Sequence, residues 1–78
     1  MIMERRKRVV KPSPGTCNLC GAPIEAEFFD AAIRTSRGTH WADVCPLCHM
    51  MHGNGLGTGR GQLYRLDRKT GEFVKREG

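Results

Sequence analysis

Two C-x-x-C hooks, Cys17-Asn18-Leu19-Cys20 and Cys45-Pro46-Leu47-Cys48, stand 24 residues apart in a chain of 78. No other feature restricts the fold as much. A chain this short buries too little apolar surface to offset its ordering entropy, so it needs a disulfide, a metal or a partner as a staple. The prospective core is thin: aromatic side chains occur only at Phe28, Phe29, Trp41, Tyr64 and Phe73, diluted by ten glycines and four prolines. Paired hooks are the usual spacing of a tetrahedral metal site, though the segment between them is slightly long here. Four soft thiolates match Zn²⁺, with Zn–S about 2.3 Å and no open coordination position, which makes such a site structural. One Zn²⁺ held by Cys17, Cys20, Cys45 and Cys48 is therefore expected. Its binding free energy, about 10–16 kcal/mol in zinc-finger peptides, then acts as folding free energy.

Three other uses of the cysteines compete with this one. Disulfides are disfavoured in a reducing compartment, and no apolar run of signal or membrane-spanning length is present, so a cytoplasmic setting is expected. Cys45-Pro46-Leu47-Cys48-His49 has the form of a c-type haem attachment site, but that chemistry leaves the first hook unused. Iron in place of zinc gives a rubredoxin-like carrier, which Cys20-Gly21 and Cys45-Pro46 resemble and the basic composition opposes. His40, His49 and His52 are read as solvated or helix-end residues, since four thiolates already fill a tetrahedral shell.

The formal charge of +5 is unevenly placed. Residues 1–15 carry +4, residues 16–52 carry −2 through Glu25, Glu27, Asp30 and Asp43 against Arg34 and Arg37, and residues 53–78 carry +3. Basic ends on a small domain are a reason to consider nucleic acid. Three segments are expected on this basis: a disordered basic arm at 1–15, a Cys₄ finger at 16–53, and a glycine-rich loop with a C-terminal hairpin at 54–78. In the arm, Arg5, Arg6, Lys7 and Arg8 repel one another, and Pro12, Pro14 and Gly15 discourage regular structure. Val9-Val10 offers at most a short edge strand.

Within the finger, residues 17–21 read as a knuckle closed by Gly21. Residues 25–33 and 39–44 read as a β-hairpin turning at 36–38, and the second hook opens a short helix ended by Gly53. Hook, hairpin, hook and helix is the order of a treble clef; without the helix the same elements make a zinc ribbon. The expected fold class is thus a small metal-stabilised α+β domain with a second hairpin at its C-terminus. That hairpin comprises Leu63-Tyr64-Arg65-Leu66, a turn at 67–71, and Phe73-Val74-Lys75.

Between finger and hairpin, glycine occupies positions 53, 55, 57, 59 and 61. No Gly-Lys-Ser/Thr follows and no βαβ unit surrounds it, so it is neither a P-loop nor a dinucleotide fingerprint. It reads either as a flexible tether or as a backbone cradle for a phosphate. Arg60, Gln62, Tyr64 and Arg65 beside it are suited to phosphate contact, base-edge hydrogen bonding and base stacking.

From Gly38, Trp41-Ala42, Cys45 and Cys48 through His52-Gly53 to Gly55-Leu56-Gly57-Thr58-Gly59-Arg60-Gly61-Gln62 and Tyr64, the chain resembles small zinc-finger proteins of bacterial viruses and prophages. With the first hook the likeness covers roughly residues 17–65. It implies a zinc finger at work in the cytoplasm of a bacterial host cell. The layout also resembles the HNH nucleases, but Ala31 and Ala32 stand where that family places its general base, and Trp41 and Ala42 where it places an asparagine. Asp30, His49 and His52 would be left to hold a divalent ion without a base to activate water. The expected function is therefore non-catalytic binding of nucleic acid, DNA or RNA, through the basic ends, namely Arg5, Arg6, Lys7 and Arg8, and through Arg60, Gln62, Tyr64 and Arg65. The alternatives are an adaptor that binds a host protein, favoured by the acidic middle, and a degenerate HNH-like nuclease.

Overall fold

Each hairpin forms where a run of strand-forming residues meets a turn that fits it. In the computed structural model, which describes residues 9–78, strands β2 (Glu27–Thr35) and β3 (Gly38–Val44) are joined by the two residues Ser36 and Arg37. Thr35 fastens that turn: its Oγ1 donates to the Gly38 carbonyl at 3.0 Å and accepts from the Arg37 amide at 3.1 Å. Helix α1 (Pro46–His52) follows at once, with Pro46 at its first turn, where its fixed φ is suited and its missing N–H costs nothing. The chain then reaches strand β4 (Gly61–Leu66), turns through residues 67–71, and returns as strand β5 (Phe73–Glu77). In that turn the Asp67 carboxylate accepts from the Lys69 amide at 2.9 Å, an Asx turn. The result is a small α+β fold, mostly antiparallel strands with one short helix.

The two hairpins are parts of one sheet. Its order is β1-β5-β4-β2-β3, where β1 is the edge strand Val10–Lys11. β4 lies against β2 from Glu27↔Arg65 to Ala31↔Gly61, so hydrogen bonding runs across the boundary expected near residue 53. β1 pairs with β5 through Val10↔Val74 and Lys11↔Phe73. The disorder expected through residue 15 therefore does not hold for Val10 and Lys11. Edge pairing with a neighbouring strand supplies what their local sequence lacks. Arg5, Arg6, Lys7 and Arg8 lie outside the described residues.

The register assigns the two sheet faces. Phe28 opposes Tyr64, Leu66 opposes Phe73, and Asp30 opposes both Gln62 and Asp43, so all of these share one face. On it, Phe28 stacks on Tyr64 at 5.2 Å and meets Phe73 edge-on at 5.2 Å. Phe29, Ala31, Ile33 and Val44 occupy the other face, where α1 packs. Ala31, Ile33 and Val44 are buried there.

Lys11 ties the first strand of the sheet to the last two. Its Nζ lies 3.0 Å from Asp30 Oδ2 and 3.2 Å from Asp43 Oδ1, and sits 5.7 and 5.5 Å from the ring centres of Phe28 and Tyr64. In a flat sheet with strands about 4.8 Å apart, a side chain on β1 would not reach β3 four positions away. The sheet must therefore roll about its aromatic face until its edges approach. Asp30 and Asp43 face each other directly across β2 and β3, an unfavourable like-charge pair whose repulsion the ammonium between them relieves. Burial works to lower the Lys11 pKa, but hydrogen bonds to the two carboxylates, and their charges, outweigh it and raise it above the ordinary lysine value.

Replacing Lys11 with Met should destabilise the fold by about 1–2 kcal/mol in chemical denaturation, between an exposed and a buried pair. Adding Asp30→Asn should restore part of that loss. Because the folded pKa is raised, the lysine's contribution is complete below about pH 10 and fades as pH rises through the folded value. The gap between wild type and K11M should therefore narrow only in strong alkali.

Candidate metal centre

The knuckle brings the first two sulfurs into place. The Cys17 amide donates to the Ala22 carbonyl at 2.8 Å and the Gly21 amide to the Cys17 carbonyl at 2.9 Å. Gly21 takes φ +81°, a left-handed conformation that a side chain disfavours. The amides of Leu19 and Cys20 both point at Cys17 Sγ from 3.4 Å. The other pair is set by the helix: Cys45 is its N-cap and Cys48 lies in its first turn, buried against β2 and β3.

Asn18 clamps the two hooks together. Its Oδ1 accepts from the Asp43 amide at 2.9 Å, while its own amide donates to the Asp43 carbonyl at 2.9 Å. Asp43 lies two residues ahead of Cys45, so this reciprocal pair fixes the knuckle against the entry to the second hook. Sequence reasoning had passed over Asn18. Its position inside the first hook, with a side chain that mimics a peptide group, was the available signal.

All four sulfurs lie within 4.8 Å of one another, and Cys20 Sγ and Cys45 Sγ are 3.8 Å apart. A tetrahedron with metal–sulfur bonds of about 2.3 Å has edges of about 3.8 Å, so the spacing suits a metal ion. All four cysteines are free of disulfides. Burial opposes ionisation of Cys17, but the amides of Cys20, Cys45 and Leu19 directed at its sulfur prevail and bring it down to about 6. At Cys48, burial and hydrogen bonds with the other three thiols push the pKa upward. Thiolates this close do not ionise together without a cation among them, which is the condition a divalent metal satisfies. Among the described residues, these four form the one group of three or more His, Cys, Asp or Glu side chains placed to hold a metal.

The histidines stay out of the cluster. His49 stacks on Phe29 with ring centres 4.0 Å apart and planes within 2°, and its Nε2 lies 3.1 Å from the Gly55 carbonyl, placed to donate. Asp30 is the next residue on β2 and so points to the opposite face, where Lys11 holds it. Asp30 and His49, considered together for a catalytic ion, are separated by the sheet. His40 and His52 are exposed.

The expected nucleic-acid contacts fare unequally. Arg60 and Arg65 are exposed and Gln62 is half-buried. Tyr64 is 3 % exposed and committed to its stack with Phe28, so the base-stacking role expected for it is corrected. Its alternation with exposed Arg65 placed it on the aromatic face once β4 joined β2. The glycine segment is folded back on itself rather than a loose tether. Amides of Gly57, Arg60 and Gly61 are used within residues 57–61, bonded to the Gly61 and Gly57 carbonyls at 2.9–3.0 Å. At Gly61 an added Cβ would sit 2.9 Å from the Gly55 carbonyl oxygen and 3.0 Å from Ala31 Cβ, and at Gly53 it would meet the His49 ring at 2.5 Å. The two ends of the ladder, Gly53 and Gly61, thus pack closely, whereas Gly55, Gly57 and Gly59 have open space beside them and take positive φ.

No protein-family model matches the chain, and neither the curated proteins nor the solved structures contain a significant match to it. Among the described residues no helix is long and apolar enough to cross a membrane.

Removing the metal with a strong chelator should unfold the chain, seen as loss of ordered circular dichroism, and re-addition should restore it. Cys48→Ser should abolish one-to-one metal binding in native mass spectrometry. Gly61→Ala should cost about 1–3 kcal/mol through overpacking, read from denaturant midpoints.

Proposed function

We propose that this chain is a structural-zinc finger of the treble-clef type that binds nucleic acid without cutting it. Zinc is favoured over iron or copper because four thiolates in a closed shell suit a tetrahedral ion with no redox chemistry to perform. The treble-clef assignment is supported by the helix that starts at the second hook and carries Cys48 in its first turn. Iron, giving a rubredoxin-like site, is the alternative that metal analysis excludes or establishes.

The observation that carries nucleic-acid binding is the disposition of charge. The total is +5, and among the described residues the arginines are all exposed. Two of the acids in the middle of the chain, Asp30 and Asp43, are occupied by Lys11. Lys11 offsets one of these two negative charges locally, while the net charge of the chain stays at +5. The non-catalytic reading draws support from Lys11 holding Asp30, and from the sheet that keeps it apart from His49.

A second reading has its own observation. Leu47, Met50 and Met51 are exposed large apolar residues at i, i+3 and i+4 of α1, one helical stripe. Near the start of α1, a groove of about 240 Å³ is lined by Pro23, Ile24, Glu25, Ala26, Glu27, Cys45 and Pro46. An apolar stripe beside an acid-edged groove suits a protein partner, as an adaptor requires.

Gel-shift titration of the zinc-loaded protein with DNA and RNA at two salt concentrations tests the first reading. Binding that weakens as salt rises, with a log–log slope of about −0.7 to −0.9 per phosphate contacted, is the expected result. Absent or salt-insensitive binding, together with a partner retained from nuclease-treated host lysate, would favour the adaptor.

A further inference from the structure

The β2–β3 hairpin outruns the rest of the sheet. β4 pairs with β2 only as far as Ala31↔Gly61, with one further bond from the Ala32 amide to the Arg60 carbonyl at 2.9 Å. Beyond that, β2 and β3 pair only with each other, out to Thr35↔Gly38. Residues 34–41 are exposed without interruption. A two-stranded ribbon thus stands clear of the sheet, anchored at its root by buried Ala31, Ala32 and Ile33.

The hairpin's charges are sorted along its length. Glu27, Asp30 and Asp43 lie at the base, with the last two sharing the Lys11 ammonium. Residues 31–42 contain no acid and carry Arg34 and Arg37. Arg60, whose carbonyl bonds to Ala32, adds a third arginine at the root.

The projecting ribbon also bears Trp41, which is 53 % exposed. Trp41 opposes Ala32 and Arg34 opposes Thr39, so Trp41 and Arg34 share one sheet face as diagonal neighbours. A large aromatic left half in water, with Arg34 diagonal to it, Arg37 further out in the turn, and its nearest acid on the same face, Asp43, already engaged by Lys11, is the combination that stacks a base while holding its phosphate. Duplex DNA offers no exposed base face, so an unpaired strand fits this pairing of groups better.

We infer that the projecting β2–β3 ribbon, from Trp41 near its root through Arg34 to Arg37 in its turn, is a binding site for single-stranded nucleic acid. The inference rests on the nucleic-acid reading above and names the element responsible. Trp41 takes the stacking role that buried Tyr64 cannot perform.

Trp41 is the single tryptophan of the chain, so its fluorescence reports the site directly. Zinc-loaded full chain is titrated with a 15-nucleotide oligothymidine, following Trp41 emission, and in parallel with a labelled copy of the same strand, following anisotropy. The expected result is quenching that saturates with the anisotropy change and is reversed by salt. Trp41→Ala and the double variant R34A/R37A should each weaken binding about tenfold or more, with little change in melting temperature because these side chains are exposed. The double variant R68A/K69A removes the same charge from the β4–β5 turn and should weaken binding far less. Equal losses in the two double variants, or unquenched Trp41 emission in a complex that anisotropy detects, would overturn the hairpin site while leaving nucleic-acid binding standing. Binding of a duplex in preference to the single strand would overturn the stacking assignment. No anisotropy change with any nucleic acid would overturn the broader reading and this one with it.

Discussion

Four sulfur atoms gathered from two hooks are the constraint on which the remainder of the molecule rests. Each hook is built locally, one by a knuckle and one by a helix start, and beyond the Asn18–Asp43 hydrogen bonds their sulfurs need something between them. A divalent ion held by the cluster would supply that link in the most direct way, by replacing the protons that four crowded thiols would otherwise have to share. Around it the protein adds only modest reinforcement: Asn18 hydrogen-bonded to the Asp43 backbone, Cys48 buried under the helix, and a small aromatic cluster on the far face of the sheet. A domain with so few large side chains has little else with which to offset the entropy of ordering its backbone.

The second organising element is electrostatic and crosses the sheet. Lys11 lies on an edge strand, yet its ammonium reaches carboxylates on the two strands at the opposite side. It therefore acts as a brace for the rolled sheet and as a counter-ion for Asp30 and Asp43. The same contact bears on the exterior, because Lys11 offsets one of the two carboxylate charges at the base of the β2–β3 hairpin while the arginines stay exposed. Fold and surface charge are coupled here through one side chain.

The parts legible in the sequence were those encoded within a few residues. The hooks, both hairpins, the helix from Pro46 and its end at Gly53 all follow from local spacing and turn chemistry. What was not legible depends on partners far away in the chain. Val10 and Lys11 read as part of a charged arm because their strand partner lies more than sixty residues later, at Phe73 and Val74. Tyr64 read as a contact residue because Arg60, Gln62 and Arg65 lie close to it in sequence; only the pairing with Phe28 shows that it points inward. The glycine ladder read as freedom, which holds for the positive φ of Gly55, Gly57 and Gly59, whereas Gly53 is small because the His49 ring lies against it and Gly61 because the Gly55 carbonyl and Ala31 do. Of the candidate site, the four ligands were plain from spacing, and the clamp by Asn18 was not.

The strand order carries a kinetic corollary. The β2–β3 and β4–β5 hairpins close over short loops and can form within about 1–10 μs. Joining them requires β4 to find β2 across the helix and the glycine turn, and β1 can dock only after β5 is in place. Assembly is therefore ordered from the hairpins outward, with the widest loop closed last. Until that final rung forms, the outer edge of β5 stays open, and a newly made chain at high concentration is exposed there to pairing with a second copy of itself.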